Sequence, residues 1–262
     1  MRRVLLSTGV EMAVEEMGEG KPVLLLHAWA ETHRVFDRLA PLLSTSLRLV
    51  IPDQRGVGES DKPADGYGLA DSAEDVIALL DALGIDSSWL VGTSSGGYLA
   101  QQAAVTYPER VRGLVLVGSP SNLHQSPPAA IRELLESLHD PVSIEDMKAF
   151  RDALPLLSPV PDAYVETQKR AALTIPPRVW RSTFDGLVAA TPPIRCGPII
   201  APTLILWGSA EYLLPADQLH ELSEAIKDSY IESYEGTGHL VLWERPERVA
   251  ADIIKFISRA PN

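Results

Sequence analysis

One cysteine, Cys196, is the only thiol in 262 residues. With no second thiol there is no internal disulfide, and the fold asks for no oxidising compartment. No motif surrounds Cys196, which reads as a bystander. Long apolar runs are also missing, since no segment approaches the ~20 apolar residues of a membrane span. The opening Met1-Arg2-Arg3-Val4-Leu5-Leu6 begins like a signal peptide. Its apolar run stops after Leu6, short of the roughly 7–15 residues of an h-region, so the default expectation is a cytoplasmic protein without a membrane partner. Positive charge is scarce. Against 35 Asp and Glu stand 23 Lys and Arg, a formal net charge of −12, which repels phosphates and argues against nucleic acid as a partner. Gly-x-x-x-x-Gly-Lys, His-Glu-x-x-His and paired Cys-x-x-Cys are all lacking, so neither a phosphate cradle nor a metal site is supported and no cofactor is expected. No internal repeat or low-complexity tract interrupts the chain.

What is present is an alternation of short apolar strands and amphipathic helices. Val23–Leu26, Leu47–Ile51, Trp89–Val91, Leu114–Val117 and Thr203–Trp207 are continuous apolar runs, the pattern of strands buried on both faces of a parallel sheet. Glu11–Met17 and Tyr230–Tyr234 read as further strands. Helices are expected over His33–Leu43, from a Ser72/Asp75 cap to Gly84, over Tyr98–Tyr107, near Pro215–Lys227, and from Pro246 onward with Val249, Ile253 and Phe256 on one face. Strand and helix in turn predict a mostly parallel α/β sheet covered on both sides. Between Pro120 and Pro198 the rhythm breaks. Twelve of the 21 prolines fall there, no strand pattern appears, and four helical patterns lie near Ile131–Leu138, Ile144–Leu154, Ala163–Leu173 and Val179–Val188. A structureless loop of that length is uncommon, so an inserted helical lid over 120–198 is expected, dividing the core into 1–119 and 199–262.

The chemistry centres on Gly92-Thr93-Ser94-Ser95-Gly96-Gly97. A strand that passes through Gly-x-Ser-x-Gly directly into a helix forces the serine into a strained, exposed bend, and the glycines remove the Cβ atoms that would clash there. The pattern alone is weak, and its place between a strand and a small-residue helix strengthens it. A serine hydroxyl needs a base, and the base needs an orienting carboxylate. Both should sit on loops at the carboxyl ends of the strands. His239, in Glu235-Gly236-Thr237-Gly238-His239, follows a strand and precedes the last helix. His33, His124, His139 and His220 lie on or near helices, where a satisfied or solvent-facing histidine is the ordinary reading, and His27 lies in the loop expected to supply an oxyanion donor. Glu211, directly after the Thr203–Trp207 strand, is the candidate acid, with a solvated loop carboxylate as the plain alternative. The order Ser94, Glu211, His239 suits a strand–turn–helix nucleophile. Two backbone N–H groups are needed for an oxyanion, Ser95 supplying one and Trp29 the other.

These residues together give a resemblance. His27-Ala28-Trp29, Asp53-Gln54-Arg55-Gly56-Val57-Gly58-Glu59-Ser60, the serine turn, Gly208-Ser209-Ala210-Glu211 and Gly238-His239 resemble the α/β-hydrolase superfamily, in particular its single-domain esterases and lactonases, over essentially the whole chain. The family usually has glycine where Ala28 stands and aspartate where Glu211 stands. It uses the Asp53–Ser60 loop structurally, and Gly56 and Gly58 make no dinucleotide site because Asp61 stands where a third glycine would be needed. Epoxide hydrolases and dehalogenases of the same fold carry an aspartate in place of Ser94. The chain as a whole is also similar to bacterial lactonases acting on large resorcylic lactones such as zearalenone, a likeness no single motif carries.

The expectation is therefore a cofactor-free serine esterase or lactonase that forms an acyl-enzyme on Ser94. The substrate is a small-molecule ester or lactone that is apolar and of medium size, a zearalenone-like macrolactone being one candidate. Leu123, Met147, Phe150, Leu154, Trp180, Phe184, Tyr212 and Leu240 are expected to line its pocket, with Leu213 and Leu214 adjoining; the plain alternative is that the lid residues only glue the lid to the core. Carbon–carbon bond hydrolysis or perhydrolysis on the same triad, or a slow-turnover ligand receptor, remain alternatives. The oligomeric state is left open, a homodimer included.

Overall fold

The computed structural model describes residues 1–124 and 129–259. Eight strands form one sheet in the order β1-β2-β4-β3-β5-β6-β7-β8. They are β1 (Arg2–Leu5), β2 (Glu11–Met17), β3 (Lys21–Leu26), β4 (Leu47–Pro52), β5 (Ser88–Thr93), β6 (Val111–Val117), β7 (Thr203–Gly208) and β8 (Ser229–Tyr234). β1 and β2 run antiparallel at one edge; every pair from β4 to β8 is parallel.

Side chains alternate along the central strands, so the continuous apolar runs feed two cores at once. Leu24, Leu26, Leu90, Leu114, Leu116 and Ile205 pack on one face with α2 (Leu69–Ala82), α3 (Ser95–Thr106) and Leu222 of α9 (Asp217–Ala225). Val23, Leu25, Val91, Val115, Val117, Leu204 and Leu206 pack on the other with Leu43 of α1 (Ala40–Leu43) and with Val249, Ile253 and Ile257 of α11 (Pro246–Arg259).

Arg2–Leu5, for which the sequence reading named no strand, form the edge strand β1. Two further elements differ from expectation. The helix expected over His33–Leu43 is two pieces, a 3-10 turn at His33–Phe36 and α1. Pro41 has no N–H to donate to Asp37, so one helix cannot run through it. The second helix starts at Leu69, not at a Ser72 cap. Gly68 precedes it, and the Asp71 carboxylate accepts the Gly68 N–H at 3.0 Å. Asp75 is instead buried and paired with Arg55 at 2.6 Å.

Between β6 and β7 the described residues form no strand. They form α4 (Ala129–Ser137), α5 (Ile144–Ala153), α6 (Asp162–Leu173), α7 (Pro177–Ala189) and the short α8 (Pro193–Cys196). Pro127 and Pro128 of the proline-rich stretch lie outside the described residues. These helices share a core of their own, in which Ile131, Leu134, Met147, Ile175, Trp180 and Phe184 pack together with Ala30, Val57 and Tyr67 from the sheet's loops. A short α10 (Val241–Glu244) precedes α11.

Candidate active site

β5 runs into α3 through Ser94, whose φ of 47° and ψ of −121° lie in a region that side-chain-bearing residues rarely occupy. Two glycines make the bend sterically open. A Cβ on Gly92 would meet the Gly96 carbonyl, and one on Gly96 would meet the backbone carbonyls of Leu26 and His27. The Ser94 N–H donates to Val117 O at 2.8 Å, tying the bend to β6.

The ends of β5, β7 and β8 bring three predicted side chains together. The Ser94 hydroxyl lies 3.0 Å from Nε2 of His239, and Nδ1 of His239 lies 2.8 Å from Oε2 of Glu211. Charge decides the tautomer here, because Nδ1 faces a carboxylate and must carry the proton, leaving Nε2 to accept from Ser94. The side chains of His239 and Glu211 are only 3% and 4% exposed. Burial works to raise the Glu211 pKa, yet the His239 hydrogen bond and charge and the N–H groups of Leu213 and Leu214 outweigh it, and the carboxyl stays below its ordinary range. Its Oε1 accepts N–H groups from Tyr212, Leu213 and Leu214 at 2.9, 2.7 and 3.2 Å. The extra methylene of glutamate is accommodated by folding the carboxylate back over the turn that follows it.

Both predicted oxyanion donors sit beside Ser94. Ser95 opens α3, and Trp29 lies in the loop after β3. The Trp29 N–H donates to the Ser95 hydroxyl at 2.6 Å, so in this structure it is engaged by the side chain of its expected partner. The loop is braced on both flanks. His27 is buried and held neutral, its pKa lowered to about 4 by desolvation. It accepts the Gln54 N–H at Nε2, at 3.0 Å. Asp53 is fully buried and accepts from the N–H and ring of His33 at 2.9 and 2.8 Å, so this loop carboxylate is structural. The Trp29 indole N–H donates to Trp180 O at 2.9 Å, and its ring stacks edgewise on Trp180 and Phe150.

In front of Ser94 opens a pocket of about 680 Å³ of empty volume, its open mouth included. Of the residues expected to line it, Leu123, Phe150, Leu154, Phe184 and Leu240 do, as do Leu213 and Leu214. Three do not. Met147 is buried in the helical segment's own core, and Trp180 is buried behind Trp29, lining a separate cavity. Five packed helices need apolar filling of their own, and these side chains supply it. Tyr212 is turned away, its hydroxyl donating to Pro155 O at 2.9 Å while its ring covers Gly238. Sequence reasoning missed Ile131, Leu187, Pro120 and Glu31 in the lining. The signal for Glu31 was present, a lone carboxylate two residues past the oxyanion loop. Among the described residues no three His, Cys, Asp or Glu side chains group as a metal site, and no helix is long and apolar enough to cross a membrane.

The model of the alpha/beta hydrolase fold family matches residues 21–246. The chain is 31% identical, over 98% of its length and 94% of the relative's, to a 2-hydroxymuconate semialdehyde hydrolase of Pseudomonas putida. Among solved structures it superposes on an esterase from Exiguobacterium antarcticum with a TM-score of 0.87 at 22% identity, covering 98% of each chain. It superposes on an esterase from a Rhodococcus species with a TM-score of 0.86 at 27% identity, covering 99% of each.

Proposed function

We propose that this chain, which belongs to the alpha/beta hydrolase family, is a serine hydrolase that cleaves the ester or lactone bond of an apolar, medium-sized substrate. The observation that carries the reading is the buried hydrogen-bonded line from Glu211 through His239 to Ser94, opening on an apolar pocket. Ser94 Oγ attacks the acyl carbon while His239 Nε2 takes its proton, and Glu211 stabilises the imidazolium that forms. The carbonyl oxygen, as it gains charge, takes the N–H groups of Ser95 and Trp29, displacing the Ser95 hydroxyl from the latter, at the positive end of α3. His239 then protonates the leaving alcohol and later draws a proton from water to release the acyl group. The helices of 120–198 act as a lid, contributing the wall of the pocket that includes Leu123, Phe150, Leu154 and Phe184. The relatives reported above lend no support to zearalenone itself, so the proposal stops at an apolar acyl group. A small-molecule substrate and a cytoplasmic setting belong to the same reading.

A second reading is favoured by one observation, the name of the Pseudomonas putida relative, which points to hydrolysis of a carbon–carbon bond. The two readings separate in one assay set. Hydrolysis of p-nitrophenyl butyrate, with fluorophosphonate labelling read by intact mass, is run on wild type and Ser94→Ala, beside turnover of 2-hydroxymuconate semialdehyde. Ester turnover and a single label, both lost in Ser94→Ala, support the esterase reading. Turnover of the semialdehyde alone supports the second, and neither activity nor label overturns both.

A further inference from the structure

Resting on that reading, we infer that Glu31 is a specificity-determining residue that restricts the pocket to substrates whose acyl part carries no negative charge. Glu31 lines the same pocket as Ser94, Ser95 and His239, and among the described residues it is the only carboxylate in that lining, since Glu211 lies behind His239, outside it. No arginine or lysine lines the pocket among the described residues, so a substrate carboxylate would find an acidic side chain and no cation. Like charges placed together in a water-poor site repel strongly, whereas an uncharged acyl group meets largely apolar walls.

The surroundings of Glu31 hold it in this position without an ion pair. Its Oε2 accepts the Ala28 N–H at 3.0 Å, which closes the oxyanion loop. His239 faces it from the loop after β8, Trp243 from α10 and Tyr164 from α6. On its far side a small cavity brings Arg151 of α5 and Lys169 of α6 near it. Arg151 lies over the Trp243 ring, 5.5 Å from its centre, and Lys169 pairs with Glu166 at 3.7 Å. No ion pair among the described residues involves Glu31. The two arginines of α7 are spent on backbone carbonyls, Arg181 on Leu135 and Leu138 and Arg178 on Lys62 and Pro63. Burial pushes the Glu31 carboxyl up to about 7, so the exclusion is strongest on the alkaline side of neutrality and relaxes as Glu31 takes up a proton.

Two p-nitrophenyl esters with the same six-carbon acyl chain test this, the methyl adipate (uncharged) and the hydrogen adipate (anionic at its far end). The quantity read is the ratio of their kcat/KM values. In wild type at about pH 8.5 the neutral ester is favoured by about a hundredfold, a ratio that falls at about pH 6, where any pH effect on the shared catalytic groups acts on both esters alike and cancels. Glu31→Gln keeps an acceptor for the Ala28 N–H, and it shrinks the alkaline ratio about tenfold or more through the KM of the anionic ester. A wild-type ratio near one, or a ratio that Glu31→Gln leaves within about twofold, overturns the inference. If neither ester is turned over in a Ser94-dependent way, it is the esterase reading that fails. Calorimetric binding of hexanamide and hexanoate to Ser94→Ala, with and without Glu31→Gln, then decides the role of Glu31. A preference for the amide that Glu31→Gln narrows supports it, and an unchanged preference overturns it.

Discussion

The two walls of the pocket are built by different physics. On the sheet side, Ser94, Glu211 and His239 hang from the ends of β5, β7 and β8, and main-chain hydrogen bonds place them: Ser94 N–H on Val117 O, Glu211 N–H on Gly208 O, and the Glu211 carboxylate on three N–H groups of its own turn. On the helical side, Trp29 carries the oxyanion loop into a cluster of rings, with Trp180, Phe184 and Phe150 at 5.1, 5.5 and 5.9 Å between centres. Backbone geometry allows little adjustment, because strand ends are held by the whole sheet. Side-chain packing allows much more, since rings and leucines can be exchanged at nearly constant volume. The sheet wall therefore defines the chemistry and the helical wall tunes what enters.

Breaking the sheet wall gives the largest effects. Ser94→Ala lowers kcat about 10,000-fold or more with its unfolding midpoint nearly unchanged, read by single-turnover ester hydrolysis and urea titration. A fall of less than about a hundredfold would remove Ser94 from the chemistry. Glu211→Gln follows at about 1,000- to 10,000-fold, because an amide N–H facing Nδ1 drives His239 into the wrong tautomer. Its depressed pKa also means that Glu211 stays ionised in wild type as pH falls into the ordinary carboxylate range. A variant retaining full activity would send the orienting role to another carboxylate.

Breaking the helical wall costs stability before it costs chemistry. Trp29→Ala removes three ring contacts and the bond to Trp180 O, and destabilises the fold by on the order of 3 kcal/mol in urea, while Trp29→Phe restores most of that loss. Equal losses in the two variants would show that the ring cluster is not what holds the loop. Glu31 sharpens the comparison through pH. Its carboxyl is raised from 4.5 to about 7 in the folded state, so the native protein holds a proton that the unfolded chain has already released. Stability from this group is present below about 4.5 and is lost as pH rises through about 7. Glu31→Gln should gain on wild type between about pH 5 and pH 8.5 by on the order of 2 kcal/mol, read as a shift between the two urea curves. An identical difference at both pH values would mean the charged form is not penalised.

The smallest effect sits where the walls meet. Ser95→Ala frees the Trp29 N–H from the hydroxyl it now serves, and kcat on p-nitrophenyl butyrate changes by less than about tenfold. A drop of about a hundredfold or more would make the hydroxyl itself a donor to the oxyanion.

What was legible in the sequence follows the same division. Buried strands announce themselves as apolar runs because both of their faces are covered, and Val23–Leu26, Leu114–Val117 and Thr203–Trp207 all lie within observed strands. The serine turn was readable because only glycine admits the approach of Gly96 to the Leu26 carbonyl. Pocket lining was less readable. Met147 and Trp180 carry the same apolar signal as Phe150 and Leu154, and nothing in periodicity says which face of a small helix meets a cavity and which meets another helix. Asp75 looked like a cap because its spacing from Ser72 fits one, while Arg55, twenty residues away, had the stronger claim on it.

By itself, then, the amino-acid order determined the alternating strands and helices, the strained serine turn and the chain order of serine, acid and histidine, because each of these rests on local sterics or on a period of two or 3.6 residues. Tertiary structure decided the rest: that Nε2 of His239 comes within 3.0 Å of a hydroxyl 145 residues earlier, that the Trp29 N–H is held by Ser95, and that Glu31 lines a pocket into which no described arginine or lysine points. These depend on where strand ends and helix faces meet in space, and long-range packing, not sequence neighbours, sets that meeting.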